Sequence, residues 1–242
     1  MLGMDKSKKT EIQKFFNDFS AHYNQSAFFD SEGLMYLDRV ERDFIRDNTS
    51  SMKISRLLEI GFGAGRNLRL FKNKHIKIDG IDIAENMLEK TRKEFKEEDI
   101  VLKHEDVNNG LPYRDDLFDL VICIRVLKYI KNWRFVLSEI SRIMKKDSYA
   151  ILEVPNLFSV HVFGLFLANY FLFFIPNFIK ELNKNGFEVV KVRKGAVFPF
   201  FIYKATNTRR FLSLLSSLDD VLNKILPIGL GSRNYIFLLK KV

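Results

Sequence analysis

Apolar side chains in the first 50 residues recur at the spacing of amphipathic helices. One such stretch covers about residues 7–24, where Ile12, Phe16 and Phe19 stand three or four residues apart. A second stretch covers about residues 31–47 and carries its own apolar stripe. Because residues three and four apart share one face of a helix, each stretch predicts a helix with one apolar face.

After these stretches the pattern changes to short apolar runs that are separated by amphipathic segments. Helix-like segments lie at about 65–73, 85–97 and 133–145. Alternation of strands and helices is typical of a parallel sheet that is covered by helices on both faces. We therefore predict a doubly wound, Rossmann-like α/β fold with a seven-stranded mixed sheet. The runs that predict its strands are 54–60, 75–83, 99–105, 118–124, 149–154, 187–192 and 234–241.

Two segments interrupt this alternation, and we expect each to be a helical insertion. Residues 154–179 contain no Asp, Glu, Lys or Arg. Their length reaches that of a membrane span, but a span here would separate the last strands from the sheet that they complete. We therefore predict a lid at about 157–176. The other insertion, at about 195–232, separates the last two strands and contains an amphipathic stretch.

The length of the chain fits one large domain, and we interpret residues 1–242 as a single domain with three parts. Residues 1–50 are expected to form a helical cap, and residues 51–156 the ligand-binding core. Residues 157–242 are expected to supply the lid, the late strands and the basic C-terminal insertion.

The composition excludes several classes of protein. A hydrophobic fraction of 47% is too high for a disordered chain. The single cysteine, Cys123, excludes a disulfide scaffold and a cysteine-ligated zinc site, and the four histidines are scattered, so we predict no metal site. Cys123 lies in an apolar run and is expected to be buried. The first residues contain no apolar run like that of a signal peptide, so we expect a cytoplasmic protein.

Positive charge is concentrated in the last quarter of the chain. Residues 1–179 contain 27 basic and 26 acidic residues, a net charge of +1, whereas residues 180–242 contain 12 and 4, a net charge of +8. Such asymmetry indicates an anionic partner, which could be nucleic acid, an acidic membrane surface or an acidic substrate. A solvated surface that aids solubility accounts for the same charge.

The end of the first predicted strand has the features of a nucleoside-binding site. Gly61, Gly63 and Gly65 follow this strand, and glycines there let the chain turn sharply and let a ligand approach bare backbone. Asp82 ends the second strand, where a carboxylate can accept hydrogen bonds from both ribose hydroxyls. These features fit NAD, FAD or S-adenosylmethionine (SAM).

Two further acids favour SAM over a dinucleotide. Glu59 lies beside the glycine loop, where a carboxylate repels a pyrophosphate but suits a cationic amino group. Asp106 follows the third strand, where it can accept from an adenine amine. The carboxyl ends of neighbouring parallel strands meet at one edge of a sheet, so we expect these acids to lie close together.

At these motifs the sequence resembles the class I SAM-dependent methyltransferases of the small-molecule type found in quinone biosynthesis. The resemblance covers about residues 12–155 and includes LLEIGFGAG, GIDIAENML and HEDVNNGLPYRDDLFDLV in the family's order. It implies SAM as the methyl donor and S-adenosylhomocysteine as the product. The cofactor contacts that it implies are Tyr23, Glu59, Gly61, Gly63, Gly65, Asp82, Ile83, Met87, Asp106, Val107, Ile124 and Arg125.

Methyl transfer from SAM depends mainly on in-line positioning, and a base is needed only if the acceptor must lose a proton. His161, beyond the fifth strand, and Tyr129, after the fourth, are the candidate bases. His161 fits equally a buried structural histidine. The family's leucine–acid–histidine after the fourth strand reads Leu127-Lys128-Tyr129 here, so the histidine sometimes found there is missing.

We interpret the protein as a methyltransferase for a small, lipophilic acceptor, such as a lipid or a prenylated or aromatic compound. The basic tail and the apolar segment 195–203 are then expected to touch the inner face of the membrane. One alternative is an RNA- or protein-directed methyltransferase that docks through the basic C-terminal region, although residues 180–242 contain no recognition motif for nucleic acid. The others are an NAD(P)-dependent oxidoreductase and a non-catalytic partner subunit with the SAM fold.

Overall fold

The structure is a computed structural model of the chain, and it describes residues 6–19, 31–96, 99–161 and 170–242. Within these ranges the helices are α1 (Lys6–Phe19), α2 (Glu32–Thr49), α3 (Glu85–Glu94), α4 (Trp133–Ile143), α5 (Ile175–Lys184), α6 (Phe200–Ala205) and α7 (Arg209–Ile225). The strands are β1 (Arg56–Ile60), β2 (Lys77–Asp82), β3 (Ile100–His104), β4 (Phe118–Cys123), β5 (Met144–Pro155), β6 (Phe187–Lys194) and β7 (Asn234–Lys241).

The seven strands form one mixed sheet in the order β3-β2-β1-β4-β5-β7-β6. Strands β1 to β5 are parallel to their neighbours, whereas β7 runs antiparallel between β5 and β6. The predicted doubly wound fold with a mixed sheet is therefore confirmed. The strand order reverses between β1 and β4, and in open α/β sheets ligands bind outside the carboxyl ends of the strands at such a reversal.

Each face of the sheet has its own hydrophobic core, because successive side chains of a strand point to opposite faces. Leu57 and Ile122 belong to a cluster that includes side chains of α2 and α3. Leu58 and Val121 belong to a cluster on the other face that includes side chains of α4 and α5. Cys123 lies in this second cluster, fully buried and free, as expected, and burial raises the pKa of its thiol.

Local sequence signals account for several helix ends. The hydroxyl of Ser31 accepts a hydrogen bond from the backbone N–H of Leu34 over 3.2 Å and so caps the start of α2. Helix α5 carries Pro176 in its first turn, where the missing N–H has no helical partner. It ends before Gly186, whose φ of 75° is readily adopted only by glycine.

The helix that the pattern predicts over about 65–73 is wrong. The structure has turns up to Asn67 and a single 3₁₀ turn at Leu68–Phe71. Gly65 (φ 72°) and Asn73 (φ 61°) adopt left-handed conformations at the two ends of this segment. Because an α-helix needs right-handed dihedral angles throughout, a helix cannot continue through either residue, and the chain between them closes only a 3₁₀ turn.

The two insertions flank the late part of the sheet. Helices α6 and α7 form the insertion between β6 and β7, which confirms its predicted helical character. In the other insertion, residues 157–161 and 170–174 are turns and irregular chain, and residues 162–169 lie outside the described residues. Across the described ranges, no helix combines the length and the apolar character that a membrane span requires.

Candidate active site

A cavity of about 310 Å³ opens at the carboxyl ends of the central parallel strands, where the strand order reverses. Its volume is that of a small-molecule site. The glycine loop after β1 forms one wall. Phe15 and Phe16 of α1 line the cavity together with Tyr129 and Tyr170.

The glycine loop has a conformation that other residues resist. Gly61 has a φ of 72°, and its N–H donates to the carbonyl of Ile81 over 2.7 Å. A Cβ atom at Gly61 would lie 2.2 Å from a methyl group of Val126. Gly63 has a φ of 53° and also lines the cavity. The loop therefore presents bare backbone to whatever ligand the cavity holds.

Asp82 holds the glycine loop against the start of the segment that leads to α3. Its Oδ2 accepts the backbone N–H of Gly63 over 2.8 Å, and its Oδ1 accepts that of Ala84 over 2.8 Å. Burial raises the pKa of Asp82, and the backbone donors oppose that shift. Since each carboxylate oxygen has two lone pairs, Asp82 can still accept hydrogen bonds from a ligand.

Glu59 and Asn67, which both line the cavity, each carry a buried oxygen without a hydrogen-bond partner among the described residues. The side-chain amide of Asn67 donates to Oε1 of Glu59 over 2.8 Å. The unpartnered oxygen of Glu59 is its Oε2. Burial raises the pKa of Glu59 to about 8. A buried, unpartnered carboxyl oxygen beside the glycine loop fits the ammonium group of a SAM molecule, because pairing would satisfy both groups.

Asp106 follows β3, and its carboxylate accepts the hydrogen bonds that hold the turn lining this part of the cavity. It accepts hydrogen bonds from the backbone N–H of Asn108 over 3.0 Å and from the side-chain amide of Asn108 over 2.8 Å. These bonds cap the 3₁₀ turn at Val107–Asn109. Ile83, Met87 and Val107 add apolar surface to the same cavity, which suits a flat aromatic ring such as adenine.

A buried charge network ties α2 to the cavity. Arg66 donates to Asp38 and to Glu41, and Nε of Arg125 donates to Oε2 of Glu41 over 3.1 Å. Burial alone raises the pKa of Glu41, but Arg125 and Arg66 outweigh it and hold the pKa at about 2. Arg125 has a φ of 64°, and its backbone N–H donates to Oε2 of Glu153 over 2.9 Å. The network fixes this strained residue at the cavity wall.

Most of the residues that the sequence assigns to the cofactor come together here. Gly65 does not line the cavity, because it packs against Thr91 and Phe95 of the α3 segment. Tyr23 lies outside the described residues. The ten assigned residues that line the cavity are Glu59, Gly61, Gly63, Asp82, Ile83, Met87, Asp106, Val107, Ile124 and Arg125.

The two candidate bases lie in different places. Tyr129 lines the cavity, and its hydroxyl is 3.5 Å from that of Tyr170. His161 is 8% exposed and is not among the cavity-lining residues. Its Nε2 has no hydrogen-bond partner in the described parts of the chain. Burial, together with the charge of Arg233, lowers the pKa of His161 to about 4, so its ring is neutral at pH 7.

Sequence reasoning missed several residues of the cavity. Phe15, Phe16, Asn67 and Tyr170 line it without having been assigned to it. Phe16 was visible only as part of an amphipathic stripe. Lys128, which also lines the cavity, was visible only as a departure from the family pattern. No cluster of three or more His, Cys, Asp or Glu side chains suited to a metal ion occurs in the described ranges.

Residues 58–152 match the model of a family described as a methyltransferase domain. An uncharacterized protein of Methanocaldococcus jannaschii is 32% identical over 130 residues, which cover 54% of this chain and 52% of that protein. The chain thus spans about half the length of this relative. A demethylmenaquinone methyltransferase of Staphylococcus aureus is 25% identical over 189 residues, 75% of each chain.

Two solved structures show the same fold at low sequence identity. The magnesium protoporphyrin IX methyltransferase of Synechocystis PCC 6803, determined with bound SAM, aligns with a TM-score of 0.66 and 14% identity over 100% of both chains. The [4+2]-cyclase SpnF aligns with a TM-score of 0.69 and 15% identity over 96% of both chains. At this identity the likeness establishes the fold alone.

Residues 58–152 are a methyltransferase domain by the family match, and the demethylmenaquinone methyltransferase is similar over three quarters of the chain. The sequence-based resemblance to SAM-dependent methyltransferases is therefore confirmed.

Proposed function

We propose that the chain transfers the methyl group of SAM to a small acceptor with an apolar body. The unpartnered Oε2 of Glu59 carries the methyl-transfer part of this proposal, because a buried acceptor beside the glycine loop calls for a cationic partner. SAM supplies an amino group of that kind and, when bound, an electrophilic methyl group on a cationic sulfur. The acceptor part rests on the aromatic lining of the same cavity.

The cofactor would be held by the residues that line the cavity. Glu59 would accept from its ammonium group, and the backbone at Gly61 and Gly63 would lie along its methionine chain. Asp82 is already anchored by two backbone donors, and it would accept from the ribose hydroxyls. The remaining contacts would come from Ile83, Met87, Asp106 and Val107 around the adenine, and from Ile124 and Arg125 near the methionine part.

The acceptor would enter through the aromatic side of the cavity. Phe16 packs edge-on against Tyr129 with ring centroids 5.4 Å apart, and Tyr129 packs edge-on against Tyr170 at 5.1 Å. Such rings bury large apolar area and keep a hydroxyl for orientation. Tyr129 would contact the acceptor. His161 remains a candidate base on sequence grounds, and its place outside this cavity makes Tyr129 the stronger of the two.

An exposed apolar face on α7 supports binding of the protein to a membrane surface. Five residues of α7 form a stripe with spacings of three and four, and Ile225 at its end is 73% exposed. The segment that follows α7 contacts the chain around Phe158, because the backbone N–H of Gly231 donates to the carbonyl of Phe158 over 2.9 Å. Phe158, Ile228 and Leu230 are also exposed. The residues of the stripe are Phe211, Leu214, Leu218, Val221 and Ile225.

Basic residues lie at both ends of the helix that carries this stripe, which suits binding to an anionic lipid surface. Arg209 and Arg210 begin α7, and Lys224 lies in its last turn. Exposed apolar side chains next to Lys and Arg suit the headgroup region of an anionic bilayer. We propose that α7 brings the site to the inner face of the membrane, where a lipophilic acceptor resides. In this proposal residues 51–156 form the cofactor core and residues 1–50 cap it. Residues 157–242 bring the acceptor to the site.

Methyl-labelled SAM tests the reaction. Purified protein is incubated with labelled SAM and total cell extract, and the label is followed into the organic, nucleic-acid and protein fractions. We expect label in the organic fraction, and none with Asp82→Ala. Label in nucleic acid or protein instead would replace this acceptor by the macromolecular alternative. Cofactor binding without label in any fraction would favour the non-catalytic partner subunit.

Flotation with vesicles tests the membrane contact. Wild-type protein is expected to float with vesicles that contain 30% anionic lipid at low salt, and a Leu214→Ser, Leu218→Ser double variant is expected to stay at the bottom. Val190→Ser is the matched control, because Val190 is exposed on β6 outside this stripe. Equal flotation of all three proteins would remove α7 from the proposal. A wild-type dimer that the double variant loses would make the stripe an interface between two copies.

A further inference from the structure

A second cavity, of about 150 Å³, lies directly beside the cofactor cavity. Arg125 and Lys128 line both cavities, so the two cavities share this part of their walls. Its other walls come from α2, from the end of β5 and from the facing ends of β6 and β7. It therefore lies on the side of the cofactor cavity where the acceptor enters in the proposal above.

The lining of the second cavity carries an excess of positive charge. Its two carboxylates are Glu41 and Glu153. Glu41 already accepts from Arg66 and Arg125, and Oε2 of Glu153 accepts the backbone N–H of Arg125. The four cationic side chains of the lining are Arg125, Lys128, Arg193 and Arg233.

Three of these four cations have no carboxylate partner among the described residues. Neither Lys128, Arg193 nor Arg233 forms an ion pair there. Nε of Arg193 is buried and has no hydrogen-bond partner in the described parts of the chain. The charges of Lys128 and Arg233 lie against aromatic rings instead, 4.5 Å from the centroid of Tyr170 and 4.6 Å from that of Phe200. Aromatic faces offset only part of the lost hydration.

Burial makes this arrangement unfavourable in the empty protein. It lowers the pKa of Lys128 to about 8 and also lowers the pKa of Arg233. A buried cation without a partner is strongly destabilising compared with a paired one. Glu41 pairs directly with Arg125, whereas Glu41 and Glu153 offset only part of the burial of Lys128 and Arg233. An anionic ligand would relieve all three unpaired cations, since guanidinium groups bind carboxylate and phosphate oxygens through paired hydrogen bonds.

We propose that the cavity lined by Arg125, Lys128, Arg193 and Arg233 binds an anionic oxygen group, a carboxylate or a phosphate, of the methyl acceptor. This inference rests on the proposed methyl transfer. The apolar body of the acceptor would extend past Tyr129 and Tyr170, and its reacting atom would face the cofactor. The acceptor is then an amphiphilic acid rather than a neutral apolar compound.

Anion binding can be measured without turnover. The thermal unfolding midpoint of the full chain is followed against sodium phosphate and sodium octanoate, with sodium chloride at the same ionic strength as reference. We expect one or both anions to raise the midpoint beyond chloride, and an apparent Kd at least tenfold weaker in Arg233→Met. A rise with phosphate indicates a phosphorylated acceptor, and a rise with octanoate a carboxylic acid. A midpoint no higher than in chloride would overturn the proposal.

Two further variants show whether weaker anion binding by Arg233→Met comes from the lost charge or from a folding defect. Lys128→Met removes another cation of the cavity and is expected to weaken the same anion by a similar factor. Arg134→Met is the matched control, since Arg134 is 61% exposed and pairs with Glu181 away from the cavity; it should bind like wild type. Equal anion binding by all four proteins would place the anion elsewhere and refute the assignment.

Stabilisation by S-adenosylhomocysteine tests the cofactor cavity independently of anion binding in the second cavity. If S-adenosylhomocysteine stabilises Arg233→Met as much as wild type, the cofactor cavity is intact, and the weaker anion binding belongs to the second cavity. If it stabilises neither protein, methyl transfer is wrong, while the phosphate and octanoate titrations still decide whether the second cavity binds an anion.

Discussion

The side-chain amide of Asn67 donates to Oε1 of Glu59 over 2.8 Å, and this contact leaves Oε2 buried with no partner among the described residues. The amide fixes the carboxyl group in one orientation. The free protein therefore carries an oriented group that water does not reach and that no described neighbour satisfies. Such a group lowers the stability of the free protein and strengthens the binding of a cation. Replacing Glu59 should therefore change stability and affinity in opposite directions.

Glu59→Gln is expected to weaken SAM binding and to stabilise the free protein. The amide keeps the shape of the carboxyl group but loses a charge-assisted hydrogen bond, which contributes about 1.5–3 kcal/mol, or roughly a 10- to 150-fold rise in Kd. At pH 8 the variant should unfold at a higher temperature than wild type without SAM. Isothermal titration calorimetry and thermal unfolding measure both effects. Glu188→Gln, at an exposed position of β6, is the control.

Binding of SAM by the wild-type protein is expected to release a proton below pH 8. In the free protein the pKa of Glu59 is about 8, so the carboxyl group is mostly protonated at pH 6–7 and must ionise to pair with the ammonium group. Affinity should therefore rise by up to about tenfold for each pH unit between pH 6 and 7.5. Calorimetry in buffers of different ionisation enthalpy counts the proton. A flat affinity profile in wild type would contradict the pairing.

The same shift predicts how pH changes the stability of the free protein. The pKa of Glu59 in the folded state is above its ordinary value of 4.5, so the folded state holds this proton more tightly than the unfolded state. Stability contributed by the neutral carboxyl group is complete below pH 4.5 and is lost as the pH rises toward 8. The difference in unfolding free energy between wild type and Glu59→Gln, measured at pH 5 and pH 8, isolates this effect.

Asp82→Asn tests whether the carboxylate orders the glycine loop. Gly63 and Ala84 donate to different oxygens of Asp82, and an asparagine has only one acceptor oxygen. One backbone N–H should lose its partner, which destabilises the protein by about 1–3 kcal/mol. Faster hydrogen exchange at Gly63 or Ala84, together with weaker SAM binding, is the expected signature. Asp220→Asn, at an exposed position of α7, should change neither.

Local patterns were sufficient to predict the sheet and to bring most of the assigned residues to one cavity. The central strands are continuous apolar runs because both of their faces are buried. Glu59 and Asp82 lie at the ends of β1 and β2, and Asp106 follows β3 closely. The helix expected at 65–73 was wrong, because the left-handed turns at Gly65 and Asn73 have no clear signal in hydrophobic periodicity. Periodicity reports which face is buried and does not report backbone conformation.

The ion pair of Arg125 and the cations of the second cavity escaped prediction because the residues involved are far apart in the chain. Arg125 pairs with Glu41, 84 residues earlier, and Arg233 reaches the second cavity only through the antiparallel return of β7. Glu41 and Arg233, each taken alone, are indistinguishable from solvated surface charges. Only the sheet order brings them to one place.

Arg66→Met is expected to destabilise the protein severely, because Asp38 and Glu41 would remain buried without their shared partner. Breaking a buried ion pair on one side costs about 3–5 kcal/mol. In wild type the pKa of Glu41 is about 2, below its unfolded value, so its stabilising contribution is present above pH 4.5 and is lost as the pH falls toward 2. In the variant Glu41 keeps Arg125 alone, so its pKa should rise, and the stability lost relative to wild type should be smaller at pH 4 than at pH 7. Denaturation of both proteins at pH 7 and pH 4 measures this difference.

A compensated variant completes the test of this network. Adding Asp38→Asn and Glu41→Gln to Arg66→Met removes both carboxylates that Arg66 had paired. It is expected to recover part of the lost stability, because Arg125 then loses its own pair with Glu41. Arg46→Met is the control, because Arg46 forms exposed pairs on the same helix, and it should change stability by less than about 0.5 kcal/mol. If the triple variant were no more stable than Arg66→Met, the loss would come from packing around the arginine stem rather than from its charge.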